Sequence, residues 1–192
     1  MSGAKNVIDM RPSKGFSSSQ GNEHLRRLDD CERAQKARWN YDPSREHLNF
    51  EVGKGGVVTE VNKFKTINQR IQKNLDSRGI VNPNKKYIDQ GLDPKYRTVA
   101  NFILGGNREV MRNLAFGNPD VDGEHGADNS DLKRMPEIEA WAKDAYAFMC
   151  KKFGEQNIAA FVVHLDEANP HVHCTVLPLT EKNRFSFKKI FT

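Results

Sequence analysis

Three of the six histidines in this chain lie within ten residues, in the pattern H-x-D-E-x-x-P-H-x-H. The pattern runs from His164 to His173 and also contains His171, Asp166 and Glu167. Imidazole nitrogens are common ligands of divalent metals, and three neutral ligands leave the ion most of its charge and open positions for a substrate. The residue types therefore predict a catalytic metal site rather than a closed structural one.

A β-hairpin would bring these histidines together. Apolar and β-branched residues precede and follow the pattern, and Glu167–Pro170 between them is a turn-forming tetrapeptide. A symmetric turn places His164 opposite His171. It also places Val162 opposite His173, so all three rings share one face of the sheet, and a slip of one residue would send His164 to the other face. The alternative, histidines that merely decorate a polar face, explains one ring better than it explains three.

The whole chain has the composition of a soluble globular protein. It has 192 residues, 37% of them hydrophobic and 29% charged, so we expect one domain spanning residues 1–192. The formal net charge of +5 fits a polyanionic partner. The three cysteines are few and far apart, which predicts reduced thiols and a cytoplasmic protein. We find neither a membrane-spanning apolar run nor a secretion signal, and the abrupt end leads us to expect the N-terminal part of a longer protein.

Periodicity and turn signals predict strands and helices that alternate along the chain. Predicted strands cover 6–10, 45–52, 98–104, the two arms of the histidine hairpin and a last strand in 184–191, and predicted helices cover 23–39, 59–76, 107–116 and 135–153. Predicted loops cover 14–21, the stretch up to 94 and 117–129, where His125 is expected to be exposed without partners. This order predicts an α+β fold, a two-layer sandwich of a central antiparallel sheet with helices packed on one face and the histidine face open.

Three separated blocks of sequence match the pattern of one family. The first is H-x-x-R at His24–Arg27, the second is PSREHLNFE at Pro43–Glu51, and the third is the histidine pattern followed by Val176–Pro178. Together, and in this order, they resemble the N-terminal relaxase domain of the plasmid recombination and mobilisation proteins (Mob/Pre, MobV-type), a branch of the HUH endonuclease superfamily. Leu25 departs from the pattern, because the family often has asparagine there.

The resemblance implies a metal-dependent, strand-specific DNA endonuclease. Such relaxases nick one strand at the origin of transfer of a plasmid or mobile element, join its 5′ phosphate covalently, and religate by transesterification during conjugative mobilisation. In this family the nucleophile corresponds to His24, where related enzymes use tyrosine, and Tyr41 is the rival nucleophile here. The implied partners are single-stranded or supercoiled origin DNA and the conjugative coupling and secretion machinery, in the bacterial cytoplasm and without membrane contact.

The metal itself is predicted from two directions. His164, His171 and His173 are the expected ligands, and the family suggests Mn²⁺ or Mg²⁺ held by them. A shell of three nitrogens suits Mn²⁺, Zn²⁺, Co²⁺ or Ni²⁺ better than Mg²⁺. We therefore expect Mn²⁺ first.

Further residues are candidates for supporting roles. Glu167 could orient or deprotonate His24, or orient a metal-bound water, and Asp166 could fix the tautomer of a ligand. Ordinary turn chemistry is the alternative for both acids. Candidate DNA contacts are Arg27, Arg45, His47, Asn49, Lys95 and Arg97. For the arginines the alternative is a surface ion pair, and for the two polar strand residues it is a solvated sheet face.

Other functions remain open at this point. One is a metal-dependent hydrolase of small molecules that uses the same histidine hairpin. Others are a non-catalytic module that binds origin or promoter DNA, and a nickase that initiates rolling-circle replication. Metal-dependent nicking of a supercoiled plasmid, with protein left on the 5′ end, would separate a relaxase from the first two.

Overall fold

The computed structural model describes residues 6–39, 41–117, 121 and 127–191, so the predicted exposure of His125 lies outside the described residues. The strands are β1 (Val7–Ser13), β2 (Phe50–Gly53), β3 (Val57–Glu60), β4 (Val99–Gly105), β5 (Ile158–His164) and β6 (His171–Val176). The helices are α1 (Ser18–His24), α2 (Asp30–Ala37), α3 (Ile67–Ser77), α4 (Lys85–Ile88), α5 (Arg108–Phe116), α6 (Pro136–Phe153) and α7 (Phe187–Phe191). None of these helices combines the length and apolarity that crossing a bilayer requires.

The six strands form one antiparallel sheet in the order β1-β4-β6-β5-β2-β3. The predicted histidine hairpin is the β5–β6 pair at the centre of this sheet. His164 pairs with His171, and Val162 pairs with His173, so the predicted register is confirmed. Because cross-strand partners point to the same face, the three imidazoles emerge together.

Helices pack on both faces of the sheet. On one face, α5 and α6 cover a core that includes Phe102 and Phe161. On the other, α1 and α3 pack over Val162, with Leu25 and Ile67 buried between them and the strands. The α+β class and the antiparallel sheet are confirmed, but the prediction that the histidine face is open was wrong. Apolar residues such as Val162 share that face with the histidines and need cover, since exposing them to water is unfavourable.

The predicted helix 23–39 is two helices separated by a sharp reversal. α1 starts earlier than expected, because Ser17 caps it, and it ends at His24. Arg26 then adopts a φ of 50°, which no α-helix continues through. Asp29 starts α2 with a capping box. The N-caps at Ser17 and Asp29 thus divide a continuous run of polar helix-forming residues into two helices.

The region around β2 and β3 also differs from its prediction. The segment 45–52 begins as a 3₁₀ turn, because Asp42 caps a helical turn there, and only its second half is strand. The predicted helix 59–76 begins only after the Thr66 cap, and its first residues belong to β3, which pairs with β2. The stretch 184–191 ends in α7 rather than in a strand. Predictions confirmed to within a residue or two are the strand 98–104 and the helices 107–116 and 135–153.

Candidate active site

The rings of the three hairpin histidines converge on one point. The ring centroids of His164 and His171 lie 5.4 Å apart, and both lie within 4.8 Å of the ring of His173. The Nε2 atoms of His171 and His173 are 2.9 Å apart. With a carboxylate oxygen of Glu167, one possible ligand atom from each of the four residues lies within 4.8 Å of the others. This group can close around a single cation.

Hydrogen bonds to backbone carbonyls fix the tautomer of two of these rings. His171 Nδ1 lies 2.9 Å from the carbonyl of Asn169, and His164 Nε2 lies 2.8 Å from the carbonyl of His24. A carbonyl only accepts, so the ring proton sits on those nitrogens. The opposite nitrogen of His171, Nε2, therefore keeps its lone pair, as a metal ligand requires, while the opposite nitrogen of His164, Nδ1, lies 3.1 Å from Arg26 Nη2.

Burial keeps His171 and His173 uncharged. Loss of hydration is the largest cause that lowers the pKa of His173 well below its ordinary value, and the nearby His164 adds to it. The same two causes lower the pKa of His171. Neutral rings at pH 7 are the form that binds metal ions.

His24 lies directly against this cluster. It is the last residue of α1, is buried, and stacks on the ring of His173 with centroids 4.0 Å apart and planes 21° apart. Phe16 supports the other side with an edge contact at 5.3 Å. Burial, and next the neighbouring His164, lower the pKa of His24 to about 3. The ring therefore carries a free lone pair at physiological pH, which a nucleophilic imidazole needs.

Tyr41, the rival nucleophile, is held protonated. It is buried, and its hydroxyl donates to the carboxylate of Glu46 and accepts from Arg33 at 3.0 Å. Burial and the hydrogen bond to Glu46 both raise the pKa of Tyr41. The phenolate that would attack a phosphate is thus disfavoured, and the geometry favours His24.

Arg26 is a site residue that the sequence reasoning missed. It is 1% exposed, and its guanidinium binds both carboxylate oxygens of Asp166 at 2.8 Å and that of Glu167 at 2.6 Å. Its Nη2 also lies 3.1 Å from His164 Nδ1. The H-x-x-R pattern pointed to the neighbouring Arg27, which is exposed. Two adjacent arginines just after a helix end were the available signal, but only the positive φ of Arg26 decides which of them turns inward.

The two acids of the hairpin turn have different surroundings. Asp166 is fully buried and accepts from Arg26 and, at 2.6 Å, from Asn49 Nδ2. Burial alone would raise the pKa of Asp166, but the hydrogen bonds from Arg26 outweigh it and lower that pKa. The side-chain partners of Asp166 are thus Arg26 and Asn49, so the structure does not support its predicted role of holding a histidine tautomer.

Glu167 is more accessible, with 19% of its side chain exposed. One carboxylate oxygen lies 3.6 Å from His164 Nδ1. Burial would raise the pKa of Glu167, but the neighbouring His164, His171 and Arg26 outweigh it and hold that pKa far below its usual range. The carboxylate is therefore ionised beside the histidines, where it can bind a cation or accept a proton.

The predicted DNA contacts fall into two groups. Arg45 and Asn49 are buried, so the structure does not support their predicted contact with DNA. Arg45 pairs with Asp42 at 2.7 Å and donates to the Leu165 carbonyl at 2.6 Å. Asn49 accepts from the Leu165 amide at 2.7 Å, so both side chains brace the hairpin turn. Exposed, and still candidates for DNA contact, are Arg27, His47, Lys95 and Arg97.

Comparisons with known sequences match the motifs. The Mob_Pre family, described as plasmid recombination enzyme, matches residues 124–192. A plasmid recombination enzyme type 1 of Staphylococcus aureus is 31% identical over 160 residues, which cover 74% of this chain and 37% of that protein. A plasmid recombination enzyme of Bacillus thuringiensis is 41% identical over 58 residues, 30% of this chain and 13% of that protein. The matched part of this chain spans 37% of the length of the first of these relatives and 13% of the second.

Solved structures with the same fold include the MobM relaxase domain (MOBV; Mob_Pre). One crystal structure of that domain, Mn-bound and in complex with oriT DNA of plasmid pMV158, matches with a TM-score of 0.65 at 19% identity, over 97% of this chain and 76% of that chain. Another, bound to a 26-nucleotide oriT DNA, matches with a TM-score of 0.55 at 16% identity, over 97% of this chain and 76% of that chain. At these identities the likeness establishes the fold.

Proposed function

We propose that this chain, which is similar to the plasmid recombination enzymes of the Mob_Pre family, is the relaxase domain of a mobilisation protein. It nicks one DNA strand at the origin of transfer of a plasmid or mobile element, holds the 5′ phosphate covalently, and religates the strand. The single observation that carries this proposal is the position of His24, a neutral imidazole stacked 4.0 Å from the metal-binding cluster.

The donor set fits a divalent cation. His171 commits its Nδ1 proton to a backbone carbonyl, which leaves Nε2 as a ligand, and this atom lies 2.9 Å from His173 Nε2. Two nitrogens bound to one ion at about 2.1 Å are separated by about this distance. His164, His171 and His173 would hold the ion, with Mn²⁺ first and Zn²⁺, Co²⁺, Ni²⁺ or Mg²⁺ as alternatives. When bound, such an ion withdraws charge from the non-bridging oxygens of the scissile phosphate.

His24 makes the covalent bond in this proposal. Its ring lone pair attacks the phosphorus, an N–P bond forms, and the bond from phosphorus to the 3′ oxygen of the preceding nucleotide breaks. The released 3′ oxygen takes up a proton, while the ring proton of His24 passes to a base. We assign this acceptor role to Glu167, because its carboxylate is partly exposed beside the cluster and lies 3.6 Å from His164 Nδ1. Religation runs the same steps backwards and restores the neutral ring.

Arg26 acts as a positioning residue. It ties together the two acids of the hairpin turn and lies against His164 Nδ1. The charge of Arg26 is matched by that of Asp166 within the buried pair. Arg26 therefore orients Glu167 and does not itself bind the substrate.

The direct test uses supercoiled plasmid carrying the cognate origin. Incubation with Mn²⁺ is expected to give open circles with protein on the 5′ end, and EDTA is expected to prevent this. Binding without nicking in the presence of Mn²⁺ would instead support a non-catalytic origin- or promoter-binding module. In cells, loss of the gene product should reduce plasmid transfer and leave copy number unchanged, whereas a rolling-circle replication initiator would show the reverse.

The partners and location follow from the same proposal. Single-stranded or supercoiled origin DNA is the substrate, in the bacterial cytoplasm. The conjugative coupling and secretion machinery would receive the protein–DNA adduct.

A further inference from the structure

The loop between β3 and α3 presents an aromatic ring to solvent. Phe64 lies between Lys63 and Lys65 and is 95% exposed, more than any other large apolar side chain that the structure describes. Single exposed apolar residues are common on proteins and carry no meaning by themselves. The support beneath this residue is what sets it apart.

Arg70 of α3 holds the loop in one conformation. Its guanidinium binds the Glu51 carboxylate at 2.7 and 2.8 Å, and it also donates to the carbonyls of Asn62 at 2.6 Å and Lys65 at 3.1 Å. The side chains of Arg70 and Glu51 are only 14% and 13% exposed. On the other side, the Asn62 side chain accepts from the Phe64 amide at 3.0 Å. The backbone is therefore fixed before and after the exposed ring.

The loop lies at the same end of the sheet as the histidines. β3 ends at Glu60, which pairs with Phe50. Phe50 in turn pairs with Val163, the residue before His164. Glu60 thus lies two strand spacings, about 10 Å, from the strand that carries the cluster. Phe64 follows four residues after Glu60, so a DNA strand bound at the histidine cluster needs only a few nucleotides to reach it.

A cleft of about 400 Å³ borders both the loop and the buried charge network. Lys63 from the loop, the buried Arg26 and the exposed His47 all line this cleft. Lys63 also forms an ion pair with Glu46, so its ammonium is held over the cleft while 43% of its side chain stays exposed. The charged lining of the cleft is mixed, with Arg26, Arg33 and Lys63 facing Glu46 and Glu60, so the exposed part of Lys63 is what the loop offers to a phosphate.

We propose that Phe64 stacks on a base of the DNA strand held at the site, with Lys63 and Lys65 beside the flanking phosphates. Every base has a π-face that an aromatic ring can cover, and phosphates flank each base, so a lysine–phenylalanine–lysine loop matches the chemistry of an unpaired strand. The preformed loop lowers the ordering cost of that contact. This inference rests on the proposed function, since the strand is the one that His24 attacks.

The test is equilibrium binding of a fluorescein-labelled single-stranded oligonucleotide carrying the origin sequence, measured by anisotropy in EDTA. Phe64→Ala is expected to weaken binding roughly 5- to 100-fold. Phe64→Trp should restore it, whereas Phe64→Leu, which keeps apolar area without a ring face, should not. Phe148→Ala is the matched control, because Phe148 is also exposed but lies on α6, against the other face of the sheet. In Phe64→Trp combined with Trp39→Phe, tryptophan emission should fall when the oligonucleotide binds, and Trp39→Phe alone, which keeps only Trp141, gives the background.

The outcomes separate this inference from the proposed function. If the wild-type chain nicks DNA in Mn²⁺ and Phe64→Ala binds as tightly as Phe148→Ala, stacking is ruled out and the relaxase proposal stands. Restoration of binding by leucine would also exclude stacking. If the wild-type chain binds in a Phe64-dependent way but never nicks, the relaxase proposal fails and the stacking role survives. Failure of the wild-type chain to bind the oligonucleotide at all would remove both, and a Phe64→Ala defect in self-association alone would assign the ring to a protein interface.

Discussion

The chemistry of single residues at this site is set by their surroundings more than by their types. His24 and Tyr41 are both buried, yet burial gives them opposite reactivity. It removes the proton that would block an imidazole lone pair, and it retains the proton that blocks a phenol. A histidine nucleophile is therefore favoured at neutral pH without a separate device to deprotonate it.

The inward turn of Arg26 gives a prediction about stability. A positive φ for a non-glycine residue costs about 1 kcal/mol, and the paired hydrogen bonds to Asp166 maintain it. Arg26→Ala leaves Asp166 as a buried charge without its partner, so we expect a loss of about 3–5 kcal/mol in the free energy of unfolding. Urea denaturation measures this, and Arg27→Ala, at an exposed position, should change it by no more than about 0.5 kcal/mol. Equal stability of the two variants would mean that the Arg26–Asp166 pair does not stabilise the fold.

At the level of elements, the sequence predicted what depends on local pattern. The histidine hairpin was predictable because its turn length, strand composition and register are contained in a few consecutive residues. The break between α1 and α2 was not, since the conformation of Arg26 depends on Asp166, which is 140 residues away. The segment 45–52, part 3₁₀ turn and part strand, has the alternating polar and apolar pattern of a strand, because its 3₁₀ turn also buries Leu48 and exposes His47. The alternation therefore placed Asn49 on an exposed polar face, whereas its side chain is buried against the hairpin turn.

The 3₁₀ turn before β2 should also be sensitive to acid. Burial alone would raise the pKa of Asp42, but hydrogen bonds from Ser44, Arg45 and Asn129 outweigh it and lower that pKa. A carboxyl with a lowered folded pKa contributes stability above its unfolded pKa, about 3.9, and loses it as pH falls through the folded value. Asp42→Asn should thus be less stable than wild type by about 1–3 kcal/mol at pH 7, with the gap narrowing below pH 4.

Thermal or urea unfolding from pH 7 to pH 3 measures this narrowing. Asp93→Asn, at an exposed position, is the control and should follow the wild-type curve. A difference between Asp42→Asn and wild type that stays constant with pH would show that the charge of Asp42 does not stabilise the turn.

At the scale of the whole molecule, the fold places its reactive groups where its two cores end. Helices cover both faces of the sheet, and at the tip of the β5–β6 hairpin the rings of His164, His171 and His173 take the place of apolar side chains. The rigid strands at the sheet centre fix the ligand positions before any ion arrives. Binding of the ion should therefore stabilise the folded chain instead of reorganising it.

This preorganisation predicts a metal-dependent melting temperature. At a Mn²⁺ concentration about 100 times its Kd, binding should add about 2.7 kcal/mol and raise the Tm by about 5–10 °C. His171→Ala should abolish the increase, while His47→Ala, which removes an exposed histidine outside the cluster, should keep it. Differential scanning calorimetry with and without Mn²⁺ measures both. An equal response of the two variants would place the ion elsewhere.

The central claim is that a neutral histidine beside a metal-binding hairpin attacks the DNA phosphate, and the residue that carries the phosphate tests it most directly. The adduct formed with an origin oligonucleotide in Mn²⁺ can be digested and mapped by mass spectrometry. The account predicts an acid-labile phosphoramidate on His24, lost in His24→Ala and retained in Tyr41→Phe. An acid-stable adduct on Tyr41, or an adduct that still forms in His24→Ala, would contradict it.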